Sequence, residues 1–120
     1  MIVEDEPSIG NICQRVLTRE GFEVEIAVNG ILAQDMIEKK RYNICLIDIR
    51  TPKMSGAELY QWLKERYPQV ANRVVFTTGS VIDEKTMAFI EQTGRPFLPK
   101  PFSPNELTTI VNESLKQLDT

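Results

Sequence analysis

The chain of 120 residues contains no histidine. That removes the usual general base and the commonest metal ligand, so hydrolase triads built on histidine and imidazole-held zinc are excluded. There are only two cysteines, Cys13 and Cys45, each among apolar residues in separate predicted elements, so buried free thiols are expected rather than a disulfide or a metal pair. Positive charge is in short supply: 14 Lys and Arg against 17 Asp and Glu give a net charge of -3 and a pI near 5.0. Such a balance leaves no electrostatic footprint for nucleic acid or an anionic membrane surface. No apolar run is long enough to span a bilayer, and no basic-then-apolar segment stands at the start. A soluble cytoplasmic domain with no direct membrane contact is the expectation. Repeats, linkers and low-complexity segments are lacking too, and the length suits one domain with a core of two or three layers.

What is present is a regular alternation. Met1-Ile2-Val3 is too short for a full central strand, and a few residues of that first strand are expected upstream. Pro7-Ser8 starts a helix carrying Ile9, Ile12, Cys13, Val16 and Leu17 at helical spacing, and Gly21 stops it. Phe22 to Val28 alternates apolar and acidic residues as a second strand, Asn29-Gly30 turns, and Ile31 to Lys40 reads as a helix. Ile44 to Asp48 is a continuous apolar run closed by one acid, the pattern of a strand buried on both faces. A third helix runs from Ala57 to Arg66 and ends at Pro68; Arg73 to Thr77 is a fourth strand. Asp83 caps a fourth helix that stops at Gly94, Phe97-Leu98-Pro99 is a short fifth strand, and Ser103 to Glu106 is a capping box before a fifth amphipathic helix. The order βαβαβαβαβα means a parallel sheet with helices on both faces.

In that fold the strand ends meet at one edge, where open α/β sheets bind ligands. Glu4 and Asp5 follow the first strand, Asp48 the third, Thr78 the fourth and Lys100 the fifth. Taken singly, each has an ordinary reading: a turn cap for Asp48, a solvated acid pair, a turn hydroxyl, an exposed lysine. Together, three converging carboxylates repel one another and call for a cation. Oxygen-only ligands that leave room for water and a phosphate suit Mg²⁺ better than a dedicated Ca²⁺ cage, and no EF-hand spacing is present. A carboxylate nucleophile beside Mg²⁺, a lysine and a hydroxyl is the equipment for aspartyl-phosphate chemistry.

The motifs Val3-Glu4-Asp5-Glu6-Pro7, Leu46 to Gly56, Phe76-Thr77-Thr78-Gly79 and Pro99-Lys100-Pro101-Phe102 resemble those of response regulator receiver domains, across nearly the whole chain. The resemblance implies a three-layer (βα)5, doubly wound, flavodoxin-like fold with strand order 2-1-3-4-5, residues 1–120 forming one receiver domain. It implies that Asp48 accepts phosphate from a phosphohistidine on a histidine kinase or histidine phosphotransfer domain. Asp5 would bind Mg²⁺ directly, with Mn²⁺ as a substitute, Glu4 mostly through water, and Arg50 through its backbone carbonyl. Lys100 would bridge to the phosphate, Thr78 would move onto it, and Phe97 on the fifth strand would turn inward. The face formed by the fourth helix, fifth strand and fifth helix would then meet a downstream protein or a second copy. A cis bond before Pro101 is also implied.

Arg50 and Ser80, two residues past Asp48 and Thr78, would flank the attacking water and set an intermediate phosphate lifetime. The stretch from Thr93 to Phe102 resembles receivers at the C-terminus of hybrid sensor kinases, which would tether the domain to a membrane sensor in the full-length protein. Two other classes share the acids. A metal-dependent phosphohydrolase typically carries a second acid two residues after its nucleophile, where Arg50 stands here. A receiver-like module used only for interaction usually loses part of the acid set, which this chain keeps.

Overall fold

The computed structural model describes residues 1–50, 53–79 and 83–118, so Thr51, Pro52 and Ser80 lie outside the described residues. Five strands, β1 (Ile2–Val3), β2 (Ile26–Ala27), β3 (Cys45–Asp48), β4 (Val74–Thr78) and β5 (Phe97–Pro99), form one parallel sheet in the order β2-β1-β3-β4-β5. Between and after them run α1 (Pro7–Arg19), α2 (Gly30–Lys39), α3 (Gly56–Arg66), α4 (Pro68–Ala71), α5 (Glu84–Thr93) and α6 (Pro104–Leu118). The doubly wound architecture and strand order expected from the sequence are therefore present.

Neighbouring residues of a strand point to opposite faces, and here each face has its own core. Val3, Cys45, Ile47, Val74 and Phe76 enter one, with Ala33 and Ile37 of α2, Leu59 and Leu63 of α3 and Ile90 of α5. Ile2, Leu46, Val75 and Leu98 enter the other, with Cys13 and Leu17 of α1 and Leu107 and Val111 of α6. This is why the apolar runs of β3 and β4 are unbroken. Both cysteines are buried free thiols.

Two differences from the sequence reading go beyond a shift of one residue. The second strand shrinks from Phe22–Val28 to Ile26–Ala27, because β2 lies at the sheet edge and its one ladder partner among the described residues, β1, is itself two residues long. Phe22 and Val24 pack on the second core without joining the ladder. The other difference is α4, one turn begun by the same Pro68 that follows α3, a position where the missing N–H of proline costs nothing. The starts of α2, α3, α5 and α6 follow their cap chemistry. Asn29, Ser55 and Asp83 accept from the backbone N–H groups of Leu32, Glu58 and Thr86. Ser103 and Glu106 form the reciprocal capping box before α6. Among the described residues no helix is long and apolar enough to cross a membrane.

Candidate functional site

Because all five strands are parallel, their carboxyl ends share one edge, and the predicted residues are brought together there. Asp48 is the last residue of β3 and only 5% exposed. Its carboxylate is fully engaged: Oδ1 accepts from the Arg50 backbone N–H at 2.9 Å and Oδ2 from Lys100 Nζ at 2.8 Å. Glu4, one residue past β1 and 3% exposed, accepts from the same ammonium at 2.5 Å and from the Glu6 N–H at 3.2 Å. Asp5 beside it is exposed. Glu4, Asp5 and Asp48 each offer a carboxylate oxygen, and these atoms lie within 4.8 Å of one another.

The electrostatics follow from that crowding. Burial raises the pKa of Glu4, against the lowering effect of its hydrogen bonds from Lys100 and the Glu6 backbone. For Lys100, burial alone would favour the neutral amine, but the hydrogen bonds to Asp48 and Glu4 outweigh it and the pKa rises. The ammonium therefore supplies one positive charge among three acids, leaving an acidic, hard-oxygen cluster. A small oxygen-seeking cation fits that donor set, in which no nitrogen or sulfur ligand takes part.

The neighbouring strands complete the edge. Thr78 ends β4, is 2% exposed, and accepts through its carbonyl from the Lys100 N–H at 3.0 Å, which ties the ends of β4 and β5 together. The Lys100–Pro101 bond is cis, as expected. Phe97 is half-buried opposite Phe76 in the β4–β5 register and packs on the core beneath α2, α3 and α5. Tyr60 of α3, Phe76 of β4 and Phe89 of α5 meet edge-on in that core, with ring centroids 5.4 to 6.0 Å apart. Arg50 is exposed at the mouth of the site.

Two close contacts shape the loop after Asp48. A Cβ at Gly56 would stand 2.7 Å from Ile49 Cα and 2.9 Å from the Asp48 carbonyl oxygen, so α3 can press against the end of β3 only with glycine there. At Gly30, a Cβ would meet Met54 Cβ and its carbonyl oxygen at 2.7 Å. The first turn of α2 thus braces the loop, a contact 24 residues apart in sequence that the Asn29-Gly30 turn signal does not announce. Thr77 pairs with Asp48 across the β3–β4 ladder.

Comparison with known proteins agrees with this geometry. A family model described as the response regulator receiver domain matches residues 1–112. The chain is 30% identical over 112 residues to the probable transcriptional regulator ycf29 of Pyropia yezoensis, covering 93% of this chain and 50% of that protein. It is 30% identical over 121 residues to the sensor kinase CckA of Brucella abortus (strain 2308), covering 99% of this chain and 13% of that protein. The CheY-like receiver domain protein of Methanospirillum hungatei JF-1 superposes with a TM-score of 0.89 at 28% identity, over 98% of this chain and 93% of that one. The chain spans about half or less of the curated relatives it matches.

Proposed function

The chain belongs to the response regulator receiver domain family, and on that footing we propose that Asp48 accepts a phosphoryl group from a phosphohistidine on a partner histidine kinase or histidine phosphotransfer domain. Domains of this family are signalling modules of two-component phosphorelays rather than enzymes with an external product. The observation that carries the reading is the state of Asp48: nearly buried, oriented by the Arg50 N–H and Lys100, and crowded by Glu4 and Asp5. In the transfer an Asp48 oxygen attacks phosphorus in line as the phosphorus–nitrogen bond breaks. The electron pair of that bond returns to the donor imidazole.

Lys100, already at the carboxylate, neutralises charge on the phosphoryl oxygens, and the Thr78 hydroxyl donates to one of them. Asp5, Asp48 and the Arg50 carbonyl, with Glu4 mostly through water, would hold Mg²⁺, or Mn²⁺ in its place, which would supply the remaining positive charge. Arg50 screens the acyl phosphate from water and, with Ser80, sets its lifetime. Thr78 moves toward the new phosphate, Phe97 turns into the space it leaves, and the face of α5, β5 and α6 changes its affinity for a downstream protein or a second copy. Residues 1–120 act as one receiver unit in the cytoplasm, and the similarity to a sensor kinase supports a setting in which the domain relays phosphate for a hybrid kinase. Transfer is tested by mixing the protein with purified histidine kinases loaded with labelled phosphate: label moves to wild type and not to Asp48→Asn. The switch is tested by NMR with a phosphate mimic, where unchanged amide shifts across 83–102 would rule out the moving face.

A further inference from the structure

At the opposite edge of the sheet, where α2 and α3 end before the chain enters β3 and β4, a cleft of about 480 Å³ opens. That volume is in the range of small-molecule sites. Ile37, Val70 and the rings of Tyr67 and Pro68 line it. So do Lys39, Lys40, Arg41 and Arg66 against the single acid Glu38, in a chain whose net charge is -3.

Cations at helix C-termini often do no more than complement the negative end of the helix. That accounts for Lys39 and Arg66, which sit in the last turns of α2 and α3. It does not account for Arg41, which lies beyond α2, is exposed, and has no carboxylate within ion-pair distance among the described residues. Arg41 also borders two smaller clefts beside the first. Lys39 and Lys40 are engaged with Asp35 at 3.0 Å and Glu25 at 3.1 Å. Arg66 is held in place, its guanidinium 5.8 Å from the Trp62 ring centroid, and Trp62 packs on Tyr67 at 5.3 Å. Arg41 is therefore a guanidinium with no helix end or carboxylate to account for it, and Arg66 adds a second one to the same cleft.

The helix end supplies the complementary polarity. The last carbonyls of an α-helix lack intrahelical donors, and no backbone N–H outside the helices takes those of Ile37, Glu38 or Lys39 among the described residues. A cleft lined by apolar side chains and guanidinium groups at the carbonyl end of a helix matches a flat heteroaromatic ring that bears N–H donors and an attached phosphate. We propose that this cleft binds a mononucleotide, with its phosphate on Arg41 and Arg66, its ring against Tyr67 and Val70, and its ring amino group on the C-terminal carbonyls of α2. An acidic peptide would use the cations and leave the acceptors unmatched.

Trp62, the only tryptophan of the chain, lies beside the site and reports on it. AMP, adenosine and inorganic phosphate are each titrated into the wild type, Arg41→Ala and Asp48→Asn, following Trp62 fluorescence and backbone amide shifts. The expected result is saturable AMP binding in the sub-millimolar range, shifts confined to residues 37–41 and 66–70, and binding at least roughly tenfold weaker for either fragment and for Arg41→Ala. Asp48→Asn binds AMP as the wild type does. Arg41 is exposed, so its variant is expected to melt as the wild type does, which far-UV circular dichroism checks. The proposal is overturned by no saturable signal at millimolar AMP, by phosphate binding as well as AMP, by wild-type affinity in Arg41→Ala, or by a glutamate-rich peptide shifting these residues when AMP does not.

Discussion

Lys100→Met removes the one ammonium that touches both buried acids of the site. Its Nζ lies 2.5 Å from Glu4 and 2.8 Å from Asp48, and the three side chains are 9%, 3% and 6% exposed. The methionine keeps the bulk of the side chain but leaves two carboxylates within 4.8 Å of each other, and of Asp5, without a cation. Breaking a buried pair by deleting one partner costs about 3–5 kcal/mol, and the lower end applies here because Asp5 opens the cluster to water. A loss of about 3 kcal/mol corresponds to a fall of roughly 10–15 °C in Tm for a domain of this size. Urea unfolding without divalent ions reads the loss directly. Adding Glu4→Gln to Lys100→Met removes one of the repelling charges, so the double variant should recover part of the loss rather than add to it. A loss under about 1 kcal/mol for Lys100→Met, or simple additivity in the double variant, would refute the view that this lysine neutralises the acid pair.

Gly30→Ala forces a Cβ to within 2.7 Å of the Met54 carbonyl, so it should cost about 1–3 kcal/mol in urea unfolding. It should also slow Asp48 phosphorylation by small-molecule donors by roughly tenfold, because the loop that presents Asp48 is displaced; an unchanged rate would show that the contact does not position the loop. Burial, with Glu4 nearby, pushes the Cys13 thiol up to about 11, so at pH 8 only about a thousandth of it is thiolate. Cys45 is raised by burial as well, and neither thiol should react with Ellman's reagent until the protein is unfolded. Tyr42 is pushed up to about 12, first by burial and then by its 2.8 Å hydrogen bond to Glu25. Its folded pKa exceeds the unfolded value near 10, so its contribution to stability is complete below about pH 10 and disappears as pH rises through about 12. A spectrophotometric titration at pH 11 should find Tyr42 only about one-tenth ionised, and removing the Glu25 carboxylate should lower that pKa.

The sheet and most of its helices were readable from the residues because their signals are local and dense. The unbroken run ending at Asp48, the turn at Asn29-Gly30, the caps at Asp83 and Ser103, and the stop at Gly94 each act within one turn or one strand. Placing Glu4, Asp5, Thr78 and Lys100 with Asp48 required only the parallel topology, which puts every strand's carboxyl end on one edge. What escaped depends on partners remote in sequence. The length of β2 is set by its neighbour's two-residue ladder rather than by the alternation of Phe22 to Val28. The sharing of Lys100 between Glu4 and Asp48, the Gly30–Met54 contact and the cleft around Arg41 arise from packing between elements. The one-turn α4 is too short to show a helical period at all.

Whether Asp48 is the phosphoacceptor is read by intact-mass spectrometry after incubation with acetyl phosphate and Mg²⁺. One added phosphate is expected that survives acid, is lost in base, and is absent from Asp48→Asn and from samples treated with a chelator. No added phosphate on the folded wild type, or the same phosphate on Asp48→Asn, would contradict it.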